Sequence, residues 1–360
     1  MRIAMLMTQA GTHGGIELVN RMVLASLLEH PGVEHLFVLS LNDHQLPLPL
    51  DDPRVQTALL GGRRSQLVTS IPWLQRWDKV LAMHLAVASV GRMMAFPRTP
   101  LHVVLYGIDA WTPLKGHQRW GANGASDFWS ISQCTIDRFA EANPGFRKTP
   151  NHLWPLALRD PLLVRPSHQA TGSLRVLLVG RMNIQERYKG HDELIDLWPA
   201  IQKRFPGTQL RLVGGGDDLE RLEEKAIGLG LQQTVQFLGR LTDEQLREEY
   251  RQAAVFAMPS QREGFGLVYL DAMAAGLPCI AGDQGAAGEV VQDGETGFLV
   301  DPRDQDKMFL LLSRLLENGG LRQTLGEQGH RRWQSEFGFD RFRERTWKLL
   351  GLPTLDRRMQ

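Results

Sequence analysis

Between Leu174 and Met258 short apolar runs alternate strictly with longer segments of helical period, and this alternation constrains the fold more than any other feature of the chain. The runs at residues 174–179, 209–213, 234–238 and 254–258 have the length and composition of buried strands. The segments 192–205, 218–229 and 243–251 place apolar side chains at three- and four-residue intervals, as amphipathic helices do. A β-α-β-α order requires parallel strands, because each helix carries the chain back to the same end of the sheet, and helices then cover both faces. The first half repeats the pattern more loosely, with strands expected at residues 2–7, 35–40, 101–106 and 128–132 and a helix at 16–28.

The chain of 360 residues exceeds a usual single core, so two doubly wound α/β domains in tandem are expected. Pro161, Pro166, Ser167 and Gly172 give residues 158–172 the chemistry of a linker, which sets the expected boundary at 165/166. An aromatic and basic helix is expected at residues 339–350, within a C-terminal segment 339–360. Cys134 and Cys279 lie far apart and belong to no C-x-x-C pair, which excludes a disulfide framework or a cysteine zinc site and fits a reducing cytoplasm. The apolar run 80–90 reads as helical and is too short to cross a bilayer.

Net charge is +1, yet residues 1–165 carry 16 Lys and Arg against 12 Asp and Glu. Much of the excess falls in residues 61–98, where Arg63, Arg64, Arg76, Lys79, Arg92 and Arg98 face only Asp78, with Trp73 and Trp77 between them. That mixture suits the anionic inner face of a cell membrane, and equally a solvated helix whose aromatics pack inward. No nucleic-acid partner is expected.

Ligands of open α/β sheets bind beyond the carboxyl ends of the strands, and the informative residues lie there. After the first strand, Gly11-Thr12-His13-Gly14-Gly15-Ile16-Glu17 is a glycine-rich turn feeding a helix, whose free N–H groups favour an anion; the alternative is a tight turn without a ligand. The spacing departs from G-x-G-x-x-G, and Asn42 and Asp43 supply no convincing ribose carboxylate, so a dinucleotide is not indicated. After residue 179, Gly180, Arg181, Arg187, Lys189 and Gly190 form a candidate diphosphate clamp. Pro259 to Met273 carries the strongest signal. A helix expected to start near Phe265 has Gly264 and Gly266 baring backbone donors at its N-terminus, with Glu263 before it and Asp271 two turns later on nearly the same face. Asp304-Gln305-Asp306 spells a metal motif but opens a helical segment, where acidic residues suit the helix dipole, so no metal site is assigned.

In this stretch the chain resembles the retaining GT-B glycosyltransferases of family 4, also called glycosyl transferases group 1. The resemblance rests on G-G-I-E at Gly14 to Glu17, V-G-R and K-G between Val179 and Gly190, and V-x-F-x-G-R at Val235 to Arg240. It rests above all on S-x-x-E-G-F-G-L at Ser260 to Leu267, A-x-G-L-P at Ala274 to Pro278 and D-G-x-T-G-F-L-V at Asp293 to Val300.

The resemblance implies a GT-B fold of two Rossmann-like domains facing across a cleft. Residues 1–165 would bind the acceptor, residues 166–338 the nucleotide-sugar donor, and the last helix would return to the first domain. It implies that Arg181 and Lys189 bind the diphosphate, that Gly264, Phe265, Gly266 and Leu267 touch the donor, that Glu263 faces the sugar and that Asp271 takes the ribose place of a glutamate. Gly239 and Arg240 fall at the nucleobase wall, and Gly14 and Gly15 near phosphate and acceptor. Tyr106-Gly107 stands where many members have His-Gly, which makes Tyr106 and Asp109 candidate groups on the acceptor side.

The implied activity is metal-independent, retaining transfer of a hexose-type sugar from a UDP- or GDP-linked donor to a cell-envelope glycan or lipid-linked acceptor, without a cofactor. A nucleotide-sugar epimerase or hydrolase on the same fold, or a non-catalytic nucleotide-sugar-binding subunit, would use the same donor pocket.

Overall fold

The computed structural model describes residues 1–11, 14–46, 52–72, 75–95, 97–158 and 174–355. Two compact units divide the chain: Met1–Leu156 with Phe339–Gln360, and Ala157–Gly338. The linker expected at residues 158–172 lies, apart from Leu158, outside the described residues, as does Trp73.

Among the described residues the first unit holds seven strands: β1 (Arg2–Met7), β2 (His35–Ser40), β3 (Val55–Leu59), β4 (Lys79–Ala82), β5 (Leu101–Leu105), β6 (Asp127–Ser130) and β7 (Asn151–Leu153). They pair in parallel in the order β3-β2-β1-β4-β5-β6-β7. Strand order reverses between β1 and β4, and their carboxyl ends form the switch point where such sheets bind ligands. The register Ile3↔Lys79 to Leu6↔Ala82 brings the turn after β1 beside Met83 and His84.

The second unit has β8 (Arg175–Val179), β9 (Gln209–Val213), β10 (Val235–Phe237), β11 (Val255–Met258), β12 (Cys279–Gly282) and β13 (Gly297–Val300). They too are parallel, in the order β10-β9-β8-β11-β12-β13, so this switch point lies between β8 and β11. The central strands are apolar on both faces because helices cover both, and Leu177, Leu178, Phe256 and Ala257 are fully buried.

The C-terminal helix Phe339–Leu350 packs on the first unit. Trp347 Nε1 donates to Ser26 O at 3.0 Å, and Trp154 Nε1 donates to Thr346 Oγ1 at 3.0 Å. Each indole is almost completely enclosed, and burying an aromatic of about 200 Å² is worth about 5 kcal/mol of apolar transfer.

Two expectations for residues 61–98 are corrected. The run 80–90 is not one helix: β4 occupies Lys79–Ala82, a short 3-10 turn spans Leu85–Val87, and an α-helix follows at Ala88–Met94. Trp77 is no membrane anchor either, since it is buried, stacks on Phe37 with centroids 5.7 Å apart and carries the Arg2 guanidinium 5.8 Å from its ring. The inward-packing alternative describes this indole, and residues 61–98 form no continuous amphipathic helix.

Candidate functional site

In the second unit Gly180 and Arg181 follow β8 directly, while Pro259 to Gly266 follow β11. Three glycines allow the loops to close on one another. Gly190 has φ +91, and a Cβ there would lie 2.7 Å from Pro259 Cδ. A Cβ on Gly282 would stand 1.9 Å from Ser260 O, and one on Gly285 would stand 2.8 Å from Glu263 O. Glu263 is also held as a bridge to Gly285, with Ala286 N donating to its carbonyl at 2.8 Å.

Glu263 Oε2 and Lys189 Nζ are 3.9 Å apart, each side chain only about 15% exposed. Glu263 Oε2 is buried and has no hydrogen-bond partner among the described residues. The neighbouring Tyr188 hydroxyl is pushed up to about 12 by burial, with Glu186 and Glu263 adding to the effect, and stays protonated. A carboxylate enclosed beside an ammonium, with an oxygen unsatisfied, is costly to the fold and suited to a ligand that donates hydrogen bonds.

The helix after this loop begins at Leu267 and ends at Ala274, later than expected, because Gly266 adopts the left-handed conformation at its N-cap, φ +95. A Cβ at Gly266 would fall 2.3 Å from the Tyr269 ring. Glu263 is therefore not helical, and the shared helical face expected for Glu263 and Asp271 does not exist. Asp271 is partly buried on the Leu267–Ala274 helix, and burial, helped by the charge of Asp243, pushes its carboxyl up to about 7.

The clamp cations differ in how they are engaged. Arg181 remains 69% exposed and pairs with Glu186 at 2.7 Å, which Asn183 steadies at 2.9 Å. Arg187 is bound through two nitrogens to Asp218, at 2.9 and 2.6 Å, so its charge is already spent within the fold. Arg240 is exposed next to Gly239, whose φ is +64, and Gly214 N donates to Gly239 O at 2.9 Å. Burial lowers His191 to about 4 and keeps it neutral at the start of the helix after the clamp.

In the first unit Asp43 fixes the glycine turn: its carboxylate accepts from Ala10 N at 2.7 Å, Gly11 N at 2.9 Å and Ser40 Oγ at 2.7 Å. Thr12 and His13 of that turn lie outside the described residues. Gly14 caps the Gly15–Glu29 helix, and a Cβ on it would stand 2.1 Å from Glu17 Oε2. The carboxylate of Glu17 thus lies beside Gly14 at the helix start.

Beyond β4 and β5 stand His84, Tyr106 and Asp109. His84 Nδ1 accepts from Ala86 N at 3.0 Å, which leaves Nε2 to carry the proton, 3.2 Å from Asp109 Oδ2. The His84 and Tyr106 rings are nearly parallel with centroids 6.2 Å apart. Burial, with the charges of Asp109 and Glu17, raises Tyr106 well above the ordinary phenol range, so its unpartnered hydroxyl remains a donor. His84 was not singled out in the sequence, because the apolar run around it reads as helix; its place directly after a short strand is the signal that would have found it.

A scan of protein families matches residues 164–332 to glycosyl transferases group 1. That match takes in just under half of the chain. A GDP-mannose-dependent alpha-(1-6)-phosphatidylinositol monomannoside mannosyltransferase of Mycolicibacterium smegmatis is 40% identical over 152 residues, 40% of either chain. A GDP-mannose-dependent monoacylated alpha-(1-6)-phosphatidylinositol monomannoside mannosyltransferase of Corynebacterium glutamicum is 32% identical over 235 residues, 61% of this chain and 60% of that protein. The chain thus spans about two fifths to three fifths of the length of these curated relatives. The solved structure of HepE from Anabaena, in complex with UDP and glucose, superposes with a TM-score of 0.78 at 21% identity, covering 97% of this chain and 99% of that one. The two parallel-sheet units of this chain have the GT-B fold.

No helix among the described residues is long and apolar enough to cross a membrane. Asp304 accepts from Lys307 N at 2.9 Å and caps the Gln305–Glu317 helix. Among the described residues no group of three or more His, Cys, Asp and Glu side chains could hold a metal ion.

Proposed function

We propose that the chain is a retaining glycosyltransferase that moves a hexose from a UDP- or GDP-linked donor to a lipid-linked or cell-envelope glycan acceptor, at the cytoplasmic side of the membrane and without a metal ion. The observation that carries this reading is the enclosed Glu263–Lys189 pair, 3.9 Å apart, beside the left-handed turn that opens the Leu267–Ala274 helix. The first N–H groups of a helix have no partner within it and attract phosphate. A lone carboxylate beside a diphosphate would repel it, so Glu263 faces neutral sugar hydroxyls, which donate to its unsatisfied oxygen.

In this account Lys189 and Arg181 neutralise the departing nucleoside diphosphate, with Glu186 turning from Arg181 as phosphate replaces it. Backbone donors from Gly264 to Leu267 take phosphate oxygens, Asp271 meets the ribose, and Gly239 and Arg240 flank the base. Charge develops on the leaving phosphate, and fixed cations and N–H groups there supply the main stabilisation. The acceptor hydroxyl passes its proton to that phosphate on the same face, which retains anomeric configuration. In the first unit the Tyr106 hydroxyl, His84 Nε2 and the carboxylates of Asp109 and Glu17 offer donors and acceptors to a polyhydroxylated acceptor.

The names of the mycobacterial and corynebacterial relatives favour GDP-mannose and a lipid-linked acceptor, while the UDP and glucose bound in HepE keep the other base in play. Incubating the purified chain with GDP-mannose or UDP-glucose, with and without a lipid-linked acceptor, tests the reading. Acceptor-dependent release of nucleoside diphosphate supports transfer. Release of free sugar or an isomer without acceptor indicates the hydrolase or epimerase, and no turnover of any donor indicates a binding subunit.

A further inference from the structure

The paired helices Ala88–Met94 and Gly116–Ala122 of the first unit carry a surface that the transfer reaction does not use. They touch closely: a Cβ on Gly121 would lie 2.4 Å from Ser89 N, and one on Gly124 would lie 2.6 Å from Arg92 Cγ. Packed this way, they leave Met93 and Trp120 each 44% exposed, among the most exposed large apolar side chains of the unit. The Arg92 guanidinium lies 4.5 Å from the Trp120 ring centroid and also donates to the Trp120 carbonyl, so the indole is held at the surface by a cation. Arg98, Lys115, His117 and Arg119 are exposed on the same two helices or their flanks.

The charge is one-sided. From Lys79 to Ser126 the chain has five Lys and Arg residues and one carboxylate, Asp109, which lies 3.2 Å from His84. Asp78 and Asp127, which border this stretch, are also engaged, the first accepting from Arg2 N at 2.7 Å and the second 2.8 Å from His102 Nδ1. An exposed indole under the Arg92 guanidinium and an exposed thioether, on two helices that carry or are flanked by exposed cations and hold no carboxylate of their own, match the interface of an anionic bilayer. Arg and Lys attract the headgroups, and the indole settles at the boundary between headgroup and acyl chain.

We propose that this face docks the first unit on anionic lipid. It replaces the helix expected at residues 61–98, and it stands without reference to the donor, so it holds or fails independently of the transfer activity.

The test is co-sedimentation of the full chain with phosphatidylcholine vesicles containing about one third phosphatidylglycerol, at low salt and without donor or acceptor. Each cation near such a surface contributes about fivefold in partitioning. Arg98→Gln, Lys115→Gln and Arg119→Gln combined should therefore weaken binding on the order of 100-fold. Trp120→Ala should weaken it on pure phosphatidylcholine as well. Raising salt should release the wild type, because screening shortens from about 30 Å at 0.01 M to about 8 Å at 0.15 M. All four positions are exposed, so the variants should unfold as the wild type does and bind nucleotide equally well. A wild type that stays in the supernatant at low salt, or a triple variant that sediments like the wild type, overturns the proposal.

Discussion

Replacing Glu263 by Gln separates a residue kept for chemistry from one kept for the fold. The carboxylate is about 15% exposed, one oxygen lacks a partner among the described residues, and the Lys189 ammonium is 3.9 Å away. At an effective dielectric of about 20, that separation corresponds to about 4 kcal/mol of attraction, which offsets the cost of keeping the charge out of water. Gln loses the attraction and the desolvation cost together, so the unliganded protein should keep its stability to within about 1 kcal/mol. Turnover should respond differently. The charge strengthens hydrogen bonds from the sugar hydroxyls and favours a developing oxocarbenium ion, so transfer should fall at least 100-fold, about 2.7 kcal/mol. Nucleoside diphosphate affinity should hold or rise, because Lys189 is released to the phosphates. Calorimetric titration with UDP and GDP, thermal unfolding and single-turnover transfer on one preparation read all three quantities. Near-normal transfer would refute the assigned role, and a stability loss as large as the activity loss would make Glu263 a structural residue.

Asp271 gives a pH dependence whose sign is fixed. Its carboxyl is raised to about 7, so between about pH 4 and 7 the folded state holds a proton that the unfolded state has lost, and stability falls as pH rises. Asp271→Asn should remove that slope, and because ribose hydroxyls donate to the ionised form, nucleotide affinity of the wild type should climb with pH up to about 7 and then level off. Arg181→Ala should weaken nucleotide binding and turnover together, whereas Arg187→Ala should cost about 1 kcal/mol of stability through Asp218 and leave affinity within about threefold; equal effects of the two on affinity would return Arg187 to the clamp. His84→Ala should raise the acceptor KM with donor affinity unchanged, and unchanged acceptor kinetics would place the residue outside the site.

The second unit was legible because its strands are long apolar runs bounded by helices of clear period, and β8, β9 and β11 fall within a residue of expectation at each end. The strands that escaped reading are short or carry little side chain. β12 and β13 contain Gly282 and Gly297, where a Cβ would lie about 2 Å from a carbonyl, so close backbone approach displaced the β-branched residues that usually mark a strand. β3 is half exposed at the sheet edge, and β7 has three residues. β4 was hidden by continuity: apolar residues run from it into the next helix, and only the cap made by His84 separates them. In the site, residue types were legible and their engagement was not. Nothing in the spacing says that Arg187 binds Asp218, that Glu17 covers Gly14 or that Gly266 delays the helix, because the first follows from a contact between segments distant in sequence, the second from where one side chain turns and the third from one left-handed glycine.

The central claim is that donor phosphates are held by Arg181, Lys189 and backbone N–H groups while a sugar moves to an acceptor hydroxyl. It is tested most directly by supplying the purified chain with GDP-mannose or UDP-glucose and a lipid-linked acceptor in excess EDTA, and following both the glycosylated product and the anomeric configuration of its new bond. The account expects acceptor-dependent product with the donor's configuration retained and a rate unchanged by the chelator. An inverted product, or activity lost in EDTA and restored by magnesium or manganese, would contradict it.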